Sequence, residues 1–322
     1  MTRLGFLTGA FALFVTAGWL VERAASVPPR WRVRLGFLTI IGMMITAVSL
    51  VAAILLPEVL FVSSIHEIWG ICKAAFRAIG MHPLGRWTSI VAGVVLAAMF
   101  GRFAWAFIAS LRATRRARVT RSEPRWTLAG GARVYVLPLD FPEAYSVPGV
   151  RGQVIVTRGL LKALEKDEQR AVLLHEEGHI RARHHLLLSV ARAAEAALAP
   201  LAPARWALAA LEQALEEAAD EYAAARLGSM PVATGLSKAA LAGLSSPVGA
   251  LSLGSGHDVP ARVRRLLDMP KVPRWVPVAC LLALAALLGV VVATQVIAGF
   301  AVVAATHHLL GVGAAATCPL IR

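Results

Sequence analysis

Four apolar stretches, each long enough to cross a lipid bilayer, constrain this chain more than any other feature of its sequence. They run from Leu4 to Val21, from Leu35 to Val62, from Thr88 to Leu111 and across residues 276–304. A helix rises 1.5 Å per residue and the hydrocarbon layer is about 30 Å thick, so about 20 apolar residues make one crossing. Leu35–Val62 exceeds that length and is expected to tilt or protrude. A cleaved signal peptide is the competing reading of Leu4–Val21, with Ala24-Ala25-Ser26 as a conceivable processing site. The run is long for one, however, and its arginine-rich flank follows it. Composition agrees with a membrane protein: 57% of the 322 residues are hydrophobic and only 16% are charged, with mean hydropathy +0.66.

The formal net charge of +14, from 33 Lys+Arg against 19 Asp+Glu, gathers between the apolar runs. Arg23, Arg30, Arg32 and Arg34 follow the first stretch, and Arg112, Arg115, Arg116, Arg118, Arg121 and Arg125 follow the third. Positively charged loops stay cytoplasmic, so the N-terminus and the loop 63–87 are expected outside and residues 112–275 inside. The resulting expectation is a polytopic α-helical protein of the bacterial plasma membrane. Three transmembrane helices lie in 1–111 (4–21, 35–62, 88–111), a cytoplasmic α+β domain in 112–275, a fourth helix in 276–304 and a short outer tail in 305–322. Direct nucleic-acid binding is not expected, since no aromatic-interleaved basic stripe accompanies the charge. Arg102 lies inside the third stretch, where a charge is costly and marks either function or a polar partner. Cys72 and Cys318 both fall on the expected outer side, where a disulfide between them is possible.

Within 112–275, Ala132–Pro138 and Gly152–Thr157 read as short strands, Leu160–Leu164 as a helical turn, and Asp167 as the N-cap of a helix. That helix carries His175-Glu176-Glu177-Gly178-His179. Two histidines four apart lie on one helix face, so two neutral imidazoles can bind one Zn²⁺ while Glu176 stands where a general base takes a proton from water. A catalytic zinc takes three protein ligands. Glu216 is the candidate third, on a helical segment where Asp220 follows one turn later and can hold the free ring N–H of a ligating histidine. A solvated acidic face is the plain alternative for that segment. His185 occupies the third-ligand position of H-E-x-x-H-x-x-G-x-x-H, but residue 182 is alanine where that pattern turns on glycine. On a continuous helix His185 would stand about 240° around the axis from His179, so neither His185 nor His184 is expected to ligate. Leu186 to Gln213, interrupted by Pro200 and Pro203, reads as helices buried in the domain or lying on the bilayer.

On these residues the chain resembles the BlaR/MecR-type membrane zinc metallopeptidases and, more distantly, the HtpX and CAAX-processing membrane proteases. The resemblance rests on Val156-Thr157-Arg158-Gly159-Leu160-Leu161, on His175 to His179, on Glu216 with Ala219-Asp220, and on His257 followed by Arg262-Val263-Arg264-Arg265-Leu266. It implies a gluzincin-type zinc metalloendopeptidase, with His175, His179 and Glu216 on zinc and Glu176 as general base. His257 or Arg262 would stabilise the oxyanion, and the 152–157 strand could offer its edge to an extended peptide. The family's antibiotic sensors carry an extracellular penicillin-binding domain after the last span, whereas this sequence ends at Arg322. The implied substrate is a cytoplasmic protein such as a BlaI/MecI-type transcriptional repressor. A housekeeping protease of membrane proteins and a non-catalytic signalling scaffold with structural zinc are the alternatives.

Overall fold

The computed structural model describes residues 27–62, 83–117, 125–149, 152–199, 201–244 and 259–268, with a few single positions between 275 and 289. The expected spans 4–21 and, apart from those positions, 276–304 lie outside the described residues. So do His257, Cys72 and Cys318.

Two long helices come first, α1 (Pro29–Val62) and α2 (Pro83–Arg116). Both outrun the stretches expected at 35–62 and 88–111, because the flanking arginines continue the helix beyond the apolar part. Within them Pro29–Val48 and Ile90–Arg116 are long and apolar enough to cross a membrane. The second is 11% buried, which leaves Ile90, Val94, Phe100 and Trp105 on its outer surface. An exposed apolar surface of this extent suits contact with lipid.

A four-stranded sheet follows: β1 (Trp126–Thr127), β2 (Arg133–Leu137), β3 (Ala144–Val147) and β4 (Gln153–Thr157), in the order β1-β2-β4-β3. The expected strands at 132–138 and 152–157 form the central parallel pair β2 and β4, with Tyr135 opposite Ile155. β3 runs antiparallel along the other side of β4. The 152–157 strand is therefore central and has no free edge; among the described residues the outer strands are β1 and β3. β1 and β3 escape sequence reading because each is short and sits in polar, proline-containing surroundings.

Six helices complete the described fold: α3 (Arg158–Ala163), α4 (Lys166–Arg181), α5 (His184–Leu198), α6 (Ala202–Leu227), α7 (Ser229–Leu244) and α8 (Val259–Leu267). The corner into α3 is built on Gly159, where an added Cβ would overlap the Asp140 carbonyl. The N-cap of α4 is Glu165, in place of the expected Asp167. The Glu165 N–H donates to the Glu168 carboxylate at 2.9 Å, closing a capping box one residue before the helix begins. Asp167 falls in the first turn, where its charge still suits the helix dipole.

The Ala/Leu-rich segment at 186–213 is a hairpin of α5, which ends at Leu198, and α6, with Pro203 accommodated in the first turn of α6. One apolar cluster joins it to the long helices: Val33, Ile40 and Met43 of α1 and Met99 of α2 with Ala191, Ala194 and Leu198 of α5 and Ala204, Ala207, Leu211 and Leu215 of α6. The core is thus continuous across residue 112. A second cluster fills the space between the sheet and α4, including Val134, Val154, Val156, Leu160 and Leu173. A third binds α4, α6, α7 and α8 through Ala171, Ala223, Val232, Leu236 and Leu266. Helix α4 is held by sheet, hairpin and C-terminal helices at once.

Candidate metal centre

The 3.6-residue period brings His175 and His179 to one face of α4, and packing of Ala171 with Ala223 and Ala224 holds α4 against α6. Gly178 permits the approach: an added Cβ would meet the Tyr222 ring of α6 at 3.2 Å. Across this gap α6 presents Glu216. His175 Nε2 and His179 Nε2 lie 3.2 Å apart, and each is 3.6 Å from a Glu216 carboxylate oxygen. These three residues form a group whose donor atoms all lie within 4.8 Å of one another.

Each imidazole is held from behind. His175 Nδ1 lies 2.9 Å from Asp220 Oδ1, and His179 Nδ1 lies 3.0 Å from His184 Nδ1. A proton on His175 Nδ1 bonds the carboxylate, and one on His179 Nδ1 bonds the ring nitrogen of His184. Both assignments leave an Nε2 lone pair facing the same point. Two lone pairs at 3.2 Å repel unless a cation or a proton lies between them. A tetrahedral zinc with bonds of about 2.0–2.1 Å would set its donor atoms about 3.4 Å apart, which is the spacing seen. The donor set of two imidazoles and one carboxylate fits Zn²⁺.

Charge in the site points the same way. Burial opposes a charged His175, but the Asp220 and Glu216 carboxylates outweigh it and hold the imidazole up to about 10. A proton there occupies the place in the charge balance that a divalent cation would take. Burial drives His179 well below the ordinary histidine value and pushes His184 down to about 4, so both are neutral. Burial also acts to raise Glu216 and Asp220, yet His175 and the neighbouring positive charges hold both carboxyls below their ordinary values. Glu176 is 5% exposed and is shifted upward, chiefly by burial, against the opposing effect of His175 and the Ser146 hydroxyl. An upward shift brings a carboxylate toward the working range of a general base.

Arg262 was, with His257, one of two candidates for the oxyanion. In the structure it is 2% exposed and clamps Asp220 through Nε and Nη2, both at 2.7 Å. Its Nη1 lies 3.2 Å from Glu216 Oε2. The guanidinium therefore orients the carboxylates that orient and join the metal face, and it is a positioning residue. His184 was set aside as a ligand on the assumption of a continuous helix. The helix in fact ends at Arg181, Arg183 adopts a left-handed φ of 53°, and α5 restarts at His184, which swings that ring back against His179. Arginine in place of glycine or asparagine at this turn gave no sequence signal for it. His185 does not reach the donor atoms; its Nε2 lies 3.1 Å from Ser146 Oγ on β3.

The comparison with family models falls on the same segment. Residues 129–242 match the model of Peptidase family M48. The protease HtpX homolog of Aquifex aeolicus is 38% identical over 80 residues, 24% of this chain and 26% of that protein. Those of Thermoplasma acidophilum and Aeropyrum pernix are 45% and 49% identical over 60 and 53 residues, 18% and 16% of this chain and 19% and 17% of theirs. The chain thus spans about a quarter or less of the length of these relatives. No solved structure matches it. The segment from 129 to 242, which supplies all three metal-facing side chains and Glu176, is similar to the M48 metallopeptidases.

Proposed function

We propose that this protein is a membrane-associated zinc metalloendopeptidase of the M48 type. The observation that carries the reading is the convergence of His175 Nε2, His179 Nε2 and Glu216 on one point, with Glu176 buried beside it. Bound there, zinc would supply Lewis-acid activation of a water and of the scissile carbonyl. The chain's own residues do the rest. Asp220 and His184 keep each imidazole in the tautomer that offers Nε2, and Arg262 steadies Asp220 and Glu216. Glu176 takes a proton from the attacking water and returns it to the leaving amine. The edge of β3, antiparallel to β4 and carrying Ser146 toward α4 and α5, is free among the described residues to pair with an extended peptide.

The substrate reading follows the relatives. Likeness to proteins named HtpX proteases favours a housekeeping protease that trims or removes membrane proteins, ahead of a signalling protease that cleaves one transcriptional repressor. Comparative proteomics of cells carrying Glu176→Gln separates them. A broad set of accumulating membrane proteins is the expected result. Accumulation of a single cytoplasmic repressor would establish the signalling reading, and an unchanged proteome would leave neither standing.

A further inference from the structure

The α5–α6 hairpin begins and ends at the metal centre, since His184 opens α5 and Glu216 lies on the returning helix. From His184 to Leu198 the chain rises about 21 Å, and from Ala202 to Glu216 about 21 Å back. Neither leg reaches the 30 Å or so needed to cross a bilayer. Both legs pack in one apolar cluster with α1 and α2, the two helices long enough to cross.

Contacts along α2 set the depth. Ser110 Oγ lies 2.7 Å from Ser189 Oγ near the start of α5. Eight residues further into α2, Arg102 Nε donates to the Ala196 carbonyl at 2.7 Å. Arg102 is ten residues, about 15 Å, from the arginine cluster that opens at Arg112, hence about halfway through the hydrocarbon. Ala196 lies in the last turn of α5, whose carbonyls have no partner within their own helix. A helix end at that depth has no water to satisfy it, and an arginine there answers both the orphan carbonyl and the negative end of the dipole. Along α1 the described part of the same cluster extends from Val33 to Val48, about 22 Å.

We propose that α5 and the first half of α6 form a re-entrant hairpin that dips into the lipid bilayer from the metal-centre side and ends near its midplane, capped by Arg102. The outward side chains Leu186, Leu201 and Trp206 continue the exposed apolar surface of α2 and meet acyl chains. Arg192 and Glu212 enter as a pair, the Glu212 carboxylate accepting from Arg192 Nε at 3.0 Å and Nη2 at 2.8 Å across the two legs. Arg205, exposed beside Trp206, makes the tip the most demanding point for lipid and so the point to probe.

The full chain in lipid nanodiscs, with Cys72, Cys280 and Cys318 replaced by serine, is spin-labelled singly at position 201 or 206. Oxygen and a water-soluble nickel chelate then compete as relaxing agents. Labels at Phe100 and Asp140 serve as the lipid and water references. Both hairpin labels should behave like the one at Phe100, with oxygen dominating and depth near the midplane. Nickel access at either position comparable to Asp140 would overturn the proposal, since the hairpin would then lie in water or line a wet groove. Arg102→Leu should loosen the label at 201 while Arg102→Lys keeps it restrained; equal mobility in both and in the parent would remove Arg102 as the cap. Should the cysteine-free chain misfold, a phospholipid with a photoactivatable acyl terminus tests the native one. Adducts between 195 and 206 support the hairpin, and adducts confined to α1 and α2 contradict it.

Discussion

At the scale of single residues, the site divides into groups that face the metal and groups that face the ligands. Asp220→Ala and His184→Ala each remove the partner of one imidazole Nδ1 and leave all three donors in place. Either change should weaken zinc about 10–100-fold, the usual cost of losing such a partner, as measured by competition with a chromogenic chelator. His184→Asn, which keeps an acceptor in reach, should recover part of that loss. An affinity unchanged in His184→Ala would show that His179 is oriented by packing alone. The ligands themselves were legible in the sequence because helical spacing alone places His175 and His179, and because a two-histidine site demands a carboxylate nearby. The partner at His184 was not, since the left-handed turn at Arg183 that brings it back has no glycine or asparagine to announce it.

Among elements, the telling contact joins α1 to the helix that supplies Glu216. Arg32 Nη1 lies 2.6 Å from Glu217 Oε2, and both side chains are buried. Arg265 of α8 reaches the same oxygen at 3.1 Å and donates to the Val27 carbonyl. The N-terminal end of an apolar helix is in this way tied to the residue next to the third ligand. Arg32→Met leaves a buried carboxylate short of one cation and should cost about 3–5 kcal/mol. Denaturant unfolding in detergent measures it, and the Arg32→Met, Glu217→Gln double variant should recover much of the loss. At the β4–α3 corner, Gly159→Ala forces a Cβ against the Asp140 backbone and should cost about 1–3 kcal/mol. The central strands could be read in advance from their β-branched runs. Their order could not, because β3 enters the sheet through pairing with β4 and carries no strong pattern of its own; the open edge therefore fell to a different strand than the sequence suggested.

For the whole molecule, one apolar cluster runs from α1 and α2 through the α5–α6 hairpin to Leu215, beside the donor Glu216, and a separate one joins α6 to α4. The sequence shows the apolar stretches and the motif separately; that they pack together emerges only from the contacts of α5 and the first half of α6 with α1 and α2. Since zinc would bind the folded chain and not the unfolded one, its removal should lower the melting temperature. Excess zinc at 100 times its dissociation constant stabilises by about 2.7 kcal/mol, so the shift on chelation is read directly by calorimetry. The central claim is that His175, His179 and Glu216 hold a catalytic zinc served by Glu176. Its most direct test is zinc content and endopeptidase activity on an unfolded protein substrate, measured side by side for the purified wild type and Glu176→Gln in detergent. The account predicts one zinc per chain in both and cleavage only in the wild type; equal cleavage by the two, or no zinc in either, would contradict it.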